Sequence, residues 1–322
     1  ALFGLSAPVA KLLIGVVDPW LLAGLLYLGA GAGLAAVHVS RRGLGLEQVE
    51  APIRKADLPW LLVVILFGGV LGPLFLMFGL SLTTASSASL LLNIEGLATM
   101  AIAWVVFREN VDGRLLLGAG SILAGAVALT WNGSGFAVDA GGLWIIAACA
   151  AWGVDNNLTR KLSSADPVQI AMIKGLAAGA TNIMVAATLG AATPSATIVL
   201  AAAVVGFFGI GVSLVMFMLG LRHLGTARTG AYFSVAPFIG AVASLFLFSE
   251  NLTARFLIGG GLMAIGVWLH LTERHDHEHD HEALEHEHVH IHDEHHQHVH
   301  DGPTPEPHSH WHRHEPMRHK HP

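Results

Sequence analysis

The chain reads as an all-α polytopic membrane protein, with ten transmembrane helices arranged as two inverted five-helix repeats. Three observations carry this reading. The 322 residues are 53% hydrophobic and only 12% charged, whereas soluble domains carry roughly 25% charged residues. Ten apolar runs follow one another at about 1–17, 19–38, 58–80, 84–107, 113–131, 141–161, 168–189, 197–221, 227–249 and 253–272; all but the short first reach the ~20 residues that a bilayer crossing needs. The chain also repeats itself. Glu109, Asn110, Arg114, Gly118, Gly120 and Gly125 return 141 residues later as Glu250, Asn251, Arg255, Gly259, Gly261 and Gly266. At the same offset Gly68, Met77, Gly79, Leu80 and Phe107 match Gly209, Met218, Gly220, Leu221 and Phe248. One register held without a gap marks a duplicated unit.

The runs are numbered here as spans 1 to 10. Span 1 opens directly on Ala1, so the N-terminus reads as clipped inside a helix, and no signal peptide is visible. Turn chemistry separates the spans at Asp18-Pro19, Asn132-Gly133-Ser134-Gly135, Asp166-Pro167 and Thr193-Pro194-Ser195. The expected organisation is a first repeat over 1–131, a linker over 132–140, a second repeat over 141–272 and a tail over 273–322. The basic residues set the orientation. Arg41, Arg42, Arg54 and Lys55 follow span 2; Arg108 and Arg114 flank the next even-numbered exit, then Arg160 and Lys161, then Arg222 and Arg228. The loops after spans 3, 5 and 7 hold none, and the loop after span 9 holds only Arg255. Even-numbered spans should therefore end in the cytoplasm, and the protein should lie in the plasma (inner) membrane with its tail cytoplasmic. Five spans is an odd number, so the second copy inserts upside down relative to the first. Inverted repeats are the architecture of secondary carriers, which bind solute near the midplane between the halves.

The chain resembles the EamA family of the drug/metabolite transporter superfamily. The residues that carry the resemblance are Thr84 to Gly125 and Thr226 to Gly266, with Trp152 and Arg160-Lys161 in the first span of the second half. It covers about residues 1–272. It implies ten helices, a central cavity between the halves, and peripheral final helices in each half. One departure is notable: span 9 has Pro237, while its partner position in span 4 is Gly96, preceded by Glu95.

Glu95 lies near the middle of span 4. An ionised carboxylate there costs about 2.5–3.5 kcal/mol, so Glu95 should stay neutral until a cation or water reaches it. It reads as a proton or cation site, weighed against a packing role. Ser86, Ser89, Asn93, Gly96 and Met100 form one helical stripe, and Glu95 lies well off it, nearer Thr84, Ala88 and Thr99. Asp155, Asn156 and Asn157 sit in span 6 and Lys174 in span 7. Antiparallel neighbours can bring Asp155 and Lys174 together, as a structural ion pair or as a gate or substrate contact. Trp152 and Tyr232 are candidates for stacking on a solute. The substrate and coupling set is thus Glu95, Asn93, Trp152, Asp155, Asn156, Lys174, Tyr232 and Pro237. Glu109 and Glu250 read as interfacial caps. The glycines of spans 5 and 10 let helices approach closely, within the bundle or in a homodimer. Cys149 stands alone, so no intramolecular disulfide forms.

The tail is chemically separate. Its fifty residues hold 12 of the 23 acids, 4 of the 17 Lys and Arg, and 18 of the 21 His. The body therefore carries a net +2 and the tail −8. Such a segment cannot bury a core and should be disordered without a ligand. Imidazole interleaved with carboxylate suits Zn, Ni, Co or Cu(II). The candidate metal ligands are His275, His277, His279, His281, His286, His288, His290, His292, His295, His296, His298 and His300. The H-E-x-x-H matches at His277–His281 and His286–His290 arise trivially in such alternation and carry no protease reading.

The expected activity is secondary transport of a small solute or metabolite, outward, with a metal-binding cytoplasmic tail. The competing reading is a divalent metal exporter, and a third is a metal sensor or membrane enzyme. Against the metal route through the spans, only His38, His223 and His270 occur in the body, all near loops. The partners expected are the lipid bilayer and a small molecule or ion, not nucleic acid. No tightly bound cofactor and no catalytic residues are expected; the protein is not read as an enzyme.

Overall fold

The computed structural model describes residues 1–44, 53–108, 111–131, 139–159, 162, 166–223, 229 and 232–272, with the backbone alone at 221–223 and in four tail stretches. Among these residues, seven helical stretches are long and apolar enough to cross a membrane: Pro19–Gly43, Lys55–Leu82, Ala85–Phe107, Gly113–Thr130, Pro167–Thr188, Ala196–Gly220 and Ala254–Leu271. Leu2–Leu13 and Tyr232–Phe248 are shorter apolar helices. Ala140–Thr159 is a further helix of 20 residues. Each of the ten apolar runs therefore contains a helix among the described residues, and the body is an all-α polytopic bundle.

Its surface is the inverse of a soluble protein's. Leu62, Val105 and Phe246 are among many large apolar side chains turned outward, where lipid is their solvent. The inside is built on close helix approach through small residues. Span 2 packs on span 7, and a Cβ added to Gly31 would meet the Leu176 backbone nitrogen at 2.4 Å. Spans 5 and 10 pack on each other, with Gly125 against the Gly259 carbonyl and Gly266 against the Gly118 carbonyl. Those four glycines thus serve the bundle itself. Gly120 and Gly261 face open space.

The duplication reaches the irregular features. Span 3 turns from α to π-helix at Ile65–Leu71, and span 8 does so at Phe207–Val212, the same place in the repeat. Span 4 leaves its helix in the left-handed conformation at Arg108, and span 9 does so at Ser249. The next helix is capped by Asp112 in one half and Thr253 in the other. Arg114, at the start of span 5, donates to Thr272 Oγ1 at the end of span 10 at 2.6 Å. Its repeat partner Arg255 donates to the Trp131 carbonyl at the end of span 5 at 2.7 Å. Such reciprocity requires spans 5 and 10 to run antiparallel, as inversion dictates.

Span 4 is broken. A turn at Leu92-Asn93 separates helix Ala85–Leu91 from helix Ile94–Phe107. The first piece packs on spans 1 and 9, the second on span 6. Span 9 has a matching break at Val235, before Ala236–Phe248. In the tail, Glu278–His281 pairs antiparallel with Met317–Lys320, and Leu284–His290 with His308–His314. The period-two alternation of His with Asp or Glu suits extended backbone. Side chains of the twelve candidate tail histidines lie outside the described residues, as do Glu109, Asn110, Arg160 and Lys161.

Candidate functional site

A cavity of about 720 Å³ opens among the spans of both halves. Glu95, Asn93, Trp152, Asp155, Asn156, Lys174 and Pro237 all line it. Seven of the eight residues singled out in the sequence thus come together. Tyr232 does not. It is 72% exposed, and the cavity is lined instead by its neighbours Phe233 and Ser234. The break at Val235 sets the phase of this segment and turns Tyr232 outward, so its reading as a stacking residue is corrected.

The break in span 4 also removes the conflict of phase at Glu95. A continuous helix would separate Asn93 from Glu95. The turn at Leu92-Asn93 re-aims the second piece, and Asn93, Glu95, Gly96 and Thr99 all reach the cavity. Asn156 Nδ2 donates to Glu95 Oε1 at 3.0 Å and to Thr99 Oγ1 at 3.2 Å. The Thr99 hydroxyl donates in turn to the Glu95 carbonyl at 2.9 Å. Asn157 Nδ2 ties the same helices together through the Thr99 carbonyl at 2.9 Å.

Asp155 and Lys174 meet, with Nζ 2.5 Å from Oδ2, and both are buried. Asp155 Oδ1 accepts from Thr159 at 3.3 Å. Pairing removes most of the cost of holding two charges here, whereas breaking one partner costs about 3–5 kcal/mol. Gly68 makes room for the pair: a Cβ at that position would lie 2.1 Å from the Asp155 carboxyl and 2.5 Å from Lys174 Nζ. Gly68 sits in the π-helical turn of span 3. Its carbonyl accepts from the Tyr27 hydroxyl at 2.8 Å and from Trp152 Nε1 at 3.1 Å. π-Turns commonly mark functional sites, and this one fixes two aromatic rings and one ion pair.

Other walls come from residues that the sequence did not single out. Phe3 packs edge-on to Trp152 at 6.4 Å and against Phe233 at 4.9 Å between ring centroids; Phe217 meets Phe233 at 4.8 Å. Among apolar spans, Phe3, Tyr27, Phe217 and Phe233 look like any packing aromatic. The matched pair Gly68/Gly209 was the one available signal for the π-turns. At one end of the bundle, Glu250 accepts from the Ala85 and Ser86 backbone N–H groups at 2.9 and 3.2 Å, capping the start of span 4. Beside it Lys11 Nζ donates to the Leu80 carbonyl and to the Thr83 carbonyl.

Comparison with known proteins agrees with this architecture. The EamA-like transporter family matches residues 1–131 and 139–272. An uncharacterized transporter of Methanothermobacter thermautotrophicus (strain Delta H) is 28% identical over 285 residues, spanning 83% of this chain and 82% of its own length. A solved crystal structure shares the fold, with a TM-score of 0.61 at 22% identity over 83% of this chain and 91% of that one. A duplicated helical unit, a cavity between its copies and a family match over both copies lead to one conclusion: the chain belongs to the EamA-like transporter family and is a multi-pass membrane transporter of the drug/metabolite type.

Proposed function

We propose that the protein is a secondary carrier that moves a small organic solute out of the cytoplasm through the cavity between its halves, exchanging it against a proton or cation at Glu95. The observation that carries this reading is the cavity itself. It is mostly apolar-walled, it is of a size that holds small organic ligands, and it contains a carboxylate whose hydrogen-bond partner is a neutral amide. Buried carboxylates in membrane proteins mark ion and proton pathways. Ten crossings, a cytoplasmic tail and a place in the plasma membrane belong to the same proposal; the ten apolar runs support the crossings, and the distribution of Arg and Lys supports the cytoplasmic tail. The tail would collect divalent metal on the cytoplasmic side.

Metal export through the spans is the second reading, and the His-rich tail favours it. The described residues favour the first: among them, no group of three or more His, Cys, Asp and Glu is placed to hold a metal ion. The test is transport in proteoliposomes containing the purified chain and loaded with a cell extract. A proton gradient should drive release of one or a few solutes. Glu95→Gln keeps the shape and cannot ionise, so release should lose its gradient dependence. Release of Zn or Ni alone would favour metal export, and normal gradient dependence in the variant would assign Glu95 to packing.

A further inference from the structure

The hydrogen-bonding atoms left over in the cavity are not a random selection. Most of its side-chain donors are turned to protein partners. Tyr27 and Trp152 spend theirs on the Gly68 carbonyl. Asn93 Nδ2 donates to the Leu90 carbonyl at 2.8 Å, and Asn156 Nδ2 divides its two between Glu95 and Thr99. Lys174 is held by Asp155. Three of the atoms left without a partner are oxygens: Glu95 Oε2, Asn93 Oδ1 and Asn156 Oδ1 make no hydrogen bond with the described residues. All three belong to residues lining the cavity.

The charges point the same way. Asp155 and Lys174 cancel, which leaves Glu95 as the carboxylate without a basic partner among the described lining residues. Trp152 and Asn156 lie one turn apart on span 6 and so share a face. The ring and the amide that holds Glu95 are neighbours, and Phe3 continues the aromatic surface. Aromatic faces attract cations as well as flat apolar bodies. An anion would meet Glu95, with the Lys174 charge already taken by Asp155 and only His270 left among the described lining residues as a further basic group. A polyhydroxylated neutral solute would bring as many acceptors as donors to a wall that offers mainly acceptors.

We propose that the cavity takes an organic ammonium: a protonated amine with a flat apolar body, its nitrogen on Glu95 and the amide oxygens of Asn93 and Asn156, its body against Phe3 and Trp152. This deepens the carrier reading and rests on it for the movement of the amine, not for its binding.

Three probes with one ring system and different heads separate the chemistry: tryptamine, tryptophol and indole-3-acetate. At about pH 7 they are a cation, a neutral alcohol and an anion. Calorimetric titration of the full chain in lipid nanodiscs should show tryptamine binding at least about tenfold tighter than either of the others. Glu95→Gln should remove that preference. Equal or tighter binding of indole-3-acetate, or no tryptamine binding by the folded wild-type chain, would overturn the proposal. The comparison of the three heads in the wild type decides the matter even where the variant does not fold. Counterflow of labelled tryptamine in proteoliposomes is read separately. Binding without counterflow would defeat the carrier reading and leave the assignment of the site intact. Preferential counterflow of the acid would do the reverse.

Discussion

Gly68 shows what a single residue decides here. A Cβ there would overlap the Asp155 carboxyl, so Gly68→Ala should cost about 1–3 kcal/mol through overpacking. Gly120→Ala, facing open space, should cost almost nothing. Denaturation midpoints of the two variants in the same detergent give the comparison. The ion pair is tested by a double-mutant cycle. Asp155→Asn alone strands Lys174 and should destabilise by roughly 3–5 kcal/mol, whereas Asp155→Asn with Lys174→Met should recover much of that. Simple addition of the two losses would mean that the pair is not a unit. At this scale the sequence was most legible where a residue was expensive. Glu95, Asp155 and Lys174 stand out because charge in an apolar run needs a reason. Tyr27 and Phe3 cost nothing in a span, so nothing marked them. Tyr232 and Phe233 differ by one position, and the break that decides between them is not written in their own chemistry.

The helical elements carry their information in their interruptions. Span 4 is two helices, and its first piece is held at its N-terminus by Glu250, a residue of the other half. An N-terminal cap contributes about 0.5–2 kcal/mol. Glu250→Gln should loosen the start of span 4 and admit solvent from that end of the bundle. With Cys149 replaced by Ala and a cysteine placed at cavity residue Ser6, labelling by a membrane-impermeant maleimide should accelerate from the Glu250 side and stay constant from the other. Unaltered labelling from both sides would reduce Glu250 to a helix cap. Span positions and turns could be read from hydropathy and from Asp-Pro steps, because each is a local preference. The π-turns could not, since one extra residue in a helical turn changes neither composition nor polarity. The duplicated register was the stronger guide: it matched Gly68 with Gly209 before either had a role.

For the whole molecule, the tail and the body should be separable. Ending the chain at Glu273 removes eighteen histidines and no span. Most Zn or Ni binding by the purified protein should disappear, while the body still inserts. Binding to imidazoles of pKa about 6.5 displaces protons, so in the full chain it should weaken steeply from about pH 7 to pH 5.5. Titration of both lengths at both pH values is the measurement; equal stoichiometry would place the metal in the body. The body itself is a near-symmetric object whose described fastenings are not all symmetric, and the Asp155–Lys174 pair is one that is not. Asp18-Pro19 and Asp166-Pro167 set spans 2 and 7 in register, and in that register the counterpart of Lys174 is Leu26. A carrier of two identical halves would spend equal time open to either side, since exchanging the shapes of its halves returns the same molecule. Leu26 cannot donate the bond that Lys174 makes to Asp155, so the exchange loses an ion pair. The empty protein should therefore rest unequally between its two orientations. Removing both charges together should bring the two populations closer to parity, as distances across each mouth, measured by paired spin labels, would report.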